Sequence, residues 1–264
     1  MYDQCDLTGK RAMVCGGSQG IGRACAVEMA RAGAEITLLA RNEDRLKNLI
    51  NELAAKNDQS HKYIAVDFND IDTLKRKVSA HLDESGPFHI LLNNTGGPPP
   101  GPIVGATPED FLKALNRHLI GNQILSQLLI PEMKKAGYGR IINIISTSVR
   151  QPIPGLGVSN TTRAAVASWA KTLAGEVAPF GITVNNILPG FTDTERLRSL
   201  FEHNANQRGM NFKEIEKDAL DGIPMGRLGN SEELGRVAVF LASEMASYVT
   251  GASIPVDGGR TSTL

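Results

Sequence analysis

A chain of 264 residues, 41% of them hydrophobic, is long enough for one large α/β domain or two small ones. Its 28 basic residues are balanced by 28 acidic ones, which leaves no electrostatic footprint for nucleic acid or an anionic membrane. No apolar run approaches a membrane span, and the opening MYDQCDLTGK reads as too polar for a signal peptide. Cys5, Cys15 and Cys25 are odd in number and lack metal-ligand spacing, so free thiols in a reducing cytoplasm are expected and no metal site.

The first element, Ala12-Met-Val-Cys15, reads as a buried strand. Gly16, Gly17, Gly20 and Gly22 follow within one tight turn, and a helix-forming run from Arg23 is closed by Gly33. Glycines let the backbone approach a pyrophosphate without Cβ clashes, and unpaired helix N–H groups point at the anion. The same glycines would suit an ordinary strand-to-helix turn, but their place between a buried strand and a helix favours a dinucleotide crevice. Strands are expected at 35–40, 61–67, 89–94, 140–146, 182–188 and 253–256, with helices between them at 41–56, 71–82, from Thr107 towards Lys135, and from about Ser159 to Val177. Alternation of this kind predicts a single doubly wound domain over residues 1–264, a seven-stranded parallel sheet with helices on both faces. Thr95–Pro102 is a stiff proline-rich loop, and Thr107 followed by Pro108 is a good N-cap. Residues from about 191 to 230 are polar and irregular, with helical stretches near 194–203 and 212–221, and read as a mobile flap over the carboxyl edge of the sheet. Ser231 is expected to cap the last helix, through Ala242.

Four segments carry a family resemblance: Cys15-Gly-Gly-Ser-Gln-Gly-Ile-Gly22, Asn93-Asn-Thr-Gly96, Asn185-Asn-Ile-Leu-Pro-Gly190, and Val249-Thr-Gly251 with Val256-Asp-Gly-Gly259. In this order and at these separations the chain resembles the short-chain dehydrogenase/reductase family over nearly its full length, nearest in look to reductases of the 3-oxoacyl carrier-protein and sugar-dehydrogenase type. The resemblance implies a Rossmann-type sheet, a bound nicotinamide dinucleotide, hydride transfer between an alcohol and a ketone on a small molecule, and a homotetramer or dimer. It assigns Gly16, Ser18, Gly20, Ile21 and Gly22 to the phosphate turn, with Cys15 where threonine is usual. Asp67 would hold the adenine. Asn94 and Gly96 would line the cofactor, with Thr95 in the usual alanine position. Pro189, Gly190 and Thr194 would meet the nicotinamide amide. An NAD site wants an acid at the end of the second strand. Ala40 and Arg41 stand there instead, so a guanidinium can face a 2′-phosphate and NADP(H) is preferred, with NAD(H) as the alternative and a solvated helix-start charge as the plain reading of Arg41.

Relatives carry an Asn-Ser-Tyr-Lys tetrad in which Tyr-x-x-x-Lys places both groups on one helix face. Aligned on Arg163-Ala-Ala-Val, Ser146 keeps the serine, Ser159 stands in the tyrosine position, Arg163 in the lysine position, and His118 in that of the asparagine. A phenol of pKa about 10, lowered by an ammonium, can exchange a proton; a serine hydroxyl does so far less readily. Ser159 is thus either catalytic or a helix N-cap. Arg163 keeps a positive charge and can bind ribose hydroxyls, and His118 is the one new titratable group, a candidate general acid. Three functions remain open: an oxidoreductase with an altered proton relay, an NADP(H)-binding protein that turns nothing over, and a non-redox enzyme using Ser146 and His118. Leu112, Leu115, Leu119, Val166, Trp169 and Leu173 exceed one sheet-facing stripe, which predicts a homo-oligomer through these helices.

Overall fold

The apolar runs become strands β1 (Arg11–Cys15), β2 (Glu35–Ala40), β3 (Lys62–Ala65), β4 (Ile90–Asn93), β5 (Gly139–Ile144), β6 (Ile182–Pro189) and β7 (Ser253–Val256). The computed structural model describes residues 5–53 and 59–263. All seven strands pair in parallel in the order β3-β2-β1-β4-β5-β6-β7. The chain winds outwards from β1 to β3, returns, and winds the other way from β4. This reversal leaves a crevice at the carboxyl ends of β1 and β4, where doubly wound sheets bind ligands.

Successive residues of a strand face opposite sides. Ala12, Val14, Ile36, Leu38, Leu92 and Ile142 pack against α1 (Gly20–Arg31), α2 (Glu43–Glu52) and α9 (Ser231–Ala242). Met13, Cys15, Leu39, Leu91, Ile141 and Val184 pack on the other side, against α3 (Ile71–Ser85), α5 (Gly121–Ala136) and α6 (Gly157–Val177). Each such leucine or isoleucine contributes roughly 1.5–3 kcal/mol by leaving water.

One row on the α5–α6 side is polar. Asn93, Asn143, Asn186 and Ser253 are register neighbours on β4 to β7. Asn93 Nδ2 donates to Asn143 Oδ1 at 2.9 Å, Asn143 Nδ2 to Asn186 Oδ1 at 3.0 Å, and Asn186 Nδ2 to Ser253 Oγ at 3.0 Å. The three amides are essentially buried.

The expected elements form, with four differences. The helix from Thr107 is α4 (Pro108–Leu115), closed at its start by a reciprocal Thr107–Asp110 capping box, and is separated from α5 by a π turn over Asn116–Ile120. There the Gly121 N–H reaches back five residues to Asn116 O, and the widened turn carries His118 inwards. Helix α6 begins at Gly157, so Ser159 lies inside its first turn and is not the cap. Asn230, not Ser231, caps α9, its N–H donating to the Glu233 carboxylate at 2.7 Å. The flap holds α7 (Glu195–Arg208) and α8 (Phe212–Asp221) over a small core of its own, where Phe201 meets Phe191 and Phe212 edge-on. The expected end of the second helix at Lys56 lies outside the described residues.

Candidate active site

A cleft of about 540 Å³ opens at the carboxyl edge of the sheet, between the glycine turn after β1, the ends of β2, β4, β5 and β6, and the start of α7. Gly16 and Gly20 take the left-handed backbone that the turn requires, at φ +59° and +54°. A Cβ on Gly16 would stand 2.5 Å from Asn94 O, and one on Gly22 would stand 2.2 Å from Gly16 O. Gly22 is therefore buried beneath the turn and makes its tightness possible, while Gly16, Ser18, Gly20 and Ile21 line the cleft itself. Asn94 braces the same turn, its Nδ2 lying 3.4 Å from Cys15 O and 3.3 Å from Gly16 O. The N-cap of α1, Gln19, makes no side-chain cap bond, and the first turn carries no acid. Its N–H groups are open to an anion in the cleft.

Arg41 is exposed at the end of β2, and Arg45 joins it from the first turn of α2. Arg45 donates to Gln19 Oε1 and lies 3.7 Å from Glu195 of the flap. Asp67 lines the same end, with Oδ1 accepting from the Asn69 N–H and side-chain amide. Gly96, Pro189, Gly190 and Thr194 line the cleft further along, and Thr194 caps α7 by accepting from Leu197 N at 3.2 Å.

Ser146, Ser159 and Arg163 share the wall formed by β5 and α6. Ser146 Oγ accepts from Ser148 N at 3.0 Å, which fixes the turn leaving β5. Arg163 is buried: Nη1 donates to Ile144 O at 3.0 Å and Nη2 lies 3.4 Å from Thr95 O. Burial, then the neighbouring Arg196, bring its pKa down to about 10, still a cation at neutral pH. Thr95 stands in the same wall, and its hydroxyl bonds Nδ1 of His118.

His118 itself does not line this cleft. It is 1% exposed, behind Thr95, and borders a second cavity of about 400 Å³ under the Pro98–Pro102 loop. Its Nε2 is buried without a partner. Burial, followed by the charges of Arg163 and Arg117, holds its pKa well below 6.5. The ring is neutral at pH 7, which corrects the expectation of an imidazolium facing the substrate. Among the described residues no tyrosine, lysine or histidine lines the main cleft. Tyr138 is buried elsewhere, its hydroxyl on Ala242 O, and Tyr248 is fully exposed.

A family profile described as Enoyl-(Acyl carrier protein) reductase matches residues 16–261. The chain belongs to the short-chain dehydrogenase/reductase family. Among family members it is 29% identical to the NADPH-dependent reductase BacG of Bacillus subtilis, over 98% of this chain and all of that one. Identity to the 3-oxoacyl-[acyl-carrier-protein] reductase FabG of Pseudomonas aeruginosa is 34%, over 96% of this chain and 98% of that one. The crystal structure of L-sorbose reductase from Gluconobacter frateurii, complexed with NADPH and L-sorbose, superposes with a TM-score of 0.92 at 33% identity, covering 99% of this chain and 100% of that chain.

Within this family frame, sequence reasoning missed the other guanidinium groups of the cleft: Arg45, Arg117, Arg196 and Arg260. Arg45, in the first turn of α2, is signalled by its nearness in sequence to Arg41. The rest come from the π turn, the flap and the C-terminal segment, which only tertiary folding brings to the cleft.

Proposed function

We propose that this chain is an NADP(H)-dependent oxidoreductase that interconverts a carbonyl and an alcohol on a small molecule, with Ser146 in the family's serine position and Ser159 and Arg163 working where relatives use a tyrosine and a lysine. One observation carries the reading: a single cleft holds an uncapped helix N-terminus and an arginine pair at one end, and two serines beside a buried guanidinium at the other. The dinucleotide fits what is there. The open N–H groups of α1 suit a pyrophosphate, and the glycine turn leaves the backbone bare where it must approach one. Arg41 and Arg45 suit a 2′-phosphate, which NAD(H) lacks; BacG is an NADPH-dependent reductase, and the L-sorbose reductase structure holds NADPH. Asp67, Asn94, Gly96, Pro189, Gly190 and Thr194 would hold the remainder.

When bound, NADPH supplies a hydride. Ser146 and Ser159 offer hydroxyl protons to the substrate oxygen, and Arg163 stabilises negative charge as it grows there. With the proton of neutral His118 on Nδ1, that nitrogen donates to Thr95 Oγ1 and leaves the Thr95 O–H free to point into the cleft. His118 is then a positioning residue for Thr95. Arg163 orients and stabilises but does not shuttle a proton.

The test is NADPH oxidation against a panel of carbonyl compounds. Turnover by the wild type, lowered about 10²-fold or more in Ser146→Ala, is the expected result. The Ser159→Tyr/Arg163→Lys double variant should reduce carbonyls faster, and each single change should do little. A wild type that binds NADPH but reduces nothing, and stays inert after the double change, would defeat the redox reading and leave a binding protein.

A further inference from the structure

Three arginines from three different helical segments converge on the main chain that follows β4. Arg163 of α6 lies on Thr95 O at 3.4 Å, Arg117 of the π turn donates to Gly96 O at 3.1 Å, and Arg196 of α7 donates to Pro98 O at 2.6 Å. Between them the backbone is bare. A Cβ on Gly96 would meet nothing within 4 Å, and one on Gly97 would stand 3.6 Å from Arg196 Nη2 and 3.9 Å from Arg163 Nη2. Two guanidinium groups therefore face one open point in the cleft.

None of the three has a carboxylate partner among the described residues. The cleft's acids, Asp67 and Glu195, are engaged by Asn69 and Arg45. The charges bearing on Arg163 and on His118 behind it are themselves cationic, Arg196 on the first, Arg163 and Arg117 on the second. Each guanidinium carries five N–H donors, and the main-chain carbonyls take only a part of them. Concentrated positive charge in a partly desolvated wall is costly unless an anion joins it. The phosphates of a dinucleotide have their own places at the α1 N-terminus and at Arg41 and Arg45, so this anion belongs to something else.

Resting on the NADP(H) reading, we propose that the substrate is a small oxo acid, its carboxylate held by Arg196 and Arg163 over Gly97. Its carbonyl carbon takes the hydride and its carbonyl oxygen a proton, giving the hydroxy acid as NADPH is oxidised to NADP⁺. The carboxylate is the handle that fixes the carbonyl near Ser146 and Ser159, and its planar pair of oxygens matches the guanidinium fork.

The test is calorimetric. Wild type and Arg196→Met are first titrated with NADPH, and the NADP⁺-loaded proteins are then titrated with pyruvate, 2-oxoglutarate and phenylpyruvate and with the methyl ester of each. The wild type should bind at least one acid ten times more tightly than its ester. Arg196→Met should lose that preference tenfold or more while binding NADPH within twofold of the wild type. Equal binding of acids and esters, or no binding of any acid, would overturn the proposal alone. So would a loss of NADPH affinity in Arg196→Met, which would assign Arg196 to the cofactor's phosphates. NADPH failing to bind the wild type would overturn the dinucleotide reading and this proposal together.

Discussion

Gly22 and Gly96 are both glycines of the cleft region, but the space around them differs, and alanine should separate a residue that serves the fold from one that serves a ligand. A methyl group at Gly22 meets backbone, Gly16 O at 2.2 Å and Gly16 C at 2.8 Å, and cannot be relieved by turning a side chain. Overpacking of this kind costs about 1–3 kcal/mol. At Gly96 the methyl meets nothing within 4 Å, and the backbone is outside the left-handed region. By restricting the unfolded chain, Gly96→Ala should leave the apo protein unchanged or about 0.4–1 kcal/mol more stable. The same methyl projects into the cleft, where it should weaken NADPH binding about tenfold, or about 1.4 kcal/mol. Urea unfolding of the apo proteins gives the first quantity and calorimetric titration with NADPH the second. If Gly96→Ala lost more than about 1 kcal/mol of apo stability and kept its NADPH affinity, the assignment of that bare backbone to a ligand would be wrong.

Arg41→Ala should cost about 1.5–3 kcal/mol of NADPH affinity while sparing NADH, as expected for a lost charge-assisted contact to phosphate; equal losses for both would show that Arg41 does not read the 2′-phosphate. His118 gives a pH effect of definite sign. Its folded pKa is depressed below the unfolded value of about 6.5, so the folded state binds fewer protons and its stability falls as pH drops below that value. His81 and His89 are held down too, mainly by burial, so the wild type loses stability from all three between about pH 7 and 5. Urea midpoints of His118→Asn should fall less steeply over the same range, and an unchanged slope would refute the assignment. A homo-oligomer through α4, the π turn and α6 is expected from Leu112 and Ile120, 58% and 40% exposed, together with half-buried Leu119 and Trp169. Val166, at 1% exposure, is spent inside the chain and adds nothing to that face. A monomer mass by light scattering would refute it.

The sheet, its glycine turn and the arginine at the end of β2 were legible because each rests on local pattern: apolar runs of strand length, glycines at fixed offsets, a charge where an acid would otherwise stand. His118 was not. Its position in the chain suggested a catalytic histidine, but a π turn is set by how α4 and α5 meet the rest of the domain, and nothing in Asn-Arg-His-Leu-Ile announces one. That turn moved the ring behind Thr95 and turned a candidate acid into a neutral neighbour. Ser159 shifted for a smaller reason. Gly157 and Val158 join the helix before it, so its hydroxyl is not used up as a cap. The gathering of Arg117, Arg163 and Arg196 lay beyond reach altogether, because the three are far apart in sequence and meet only on the carbonyls after β4.

The amide row across β4 to β7 acts as a spirit level for the floor of the cleft. On its face of the sheet the residues two below and two above Asn143 are Ile141 and Ile145, and those flanking Asn186 are Val184 and Leu188. To aliphatic packing, a slide of two residues is nearly invisible: every side chain keeps its face and finds another branched neighbour. It would nonetheless raise one strand's end by roughly 6.5 Å against the next. The asparagines make that slide conspicuous, since a displaced amide would lie against hydrocarbon, and Asn143, bonded on both sides, would lose both partners if its strand moved. Arg163 spans the ends of two of these strands, gripping Thr95 O after β4 and Ile144 O on β5, and it can do so only when the two ends stand at matching heights. A polar line drawn through the middle of the core thus sets tolerances at its rim.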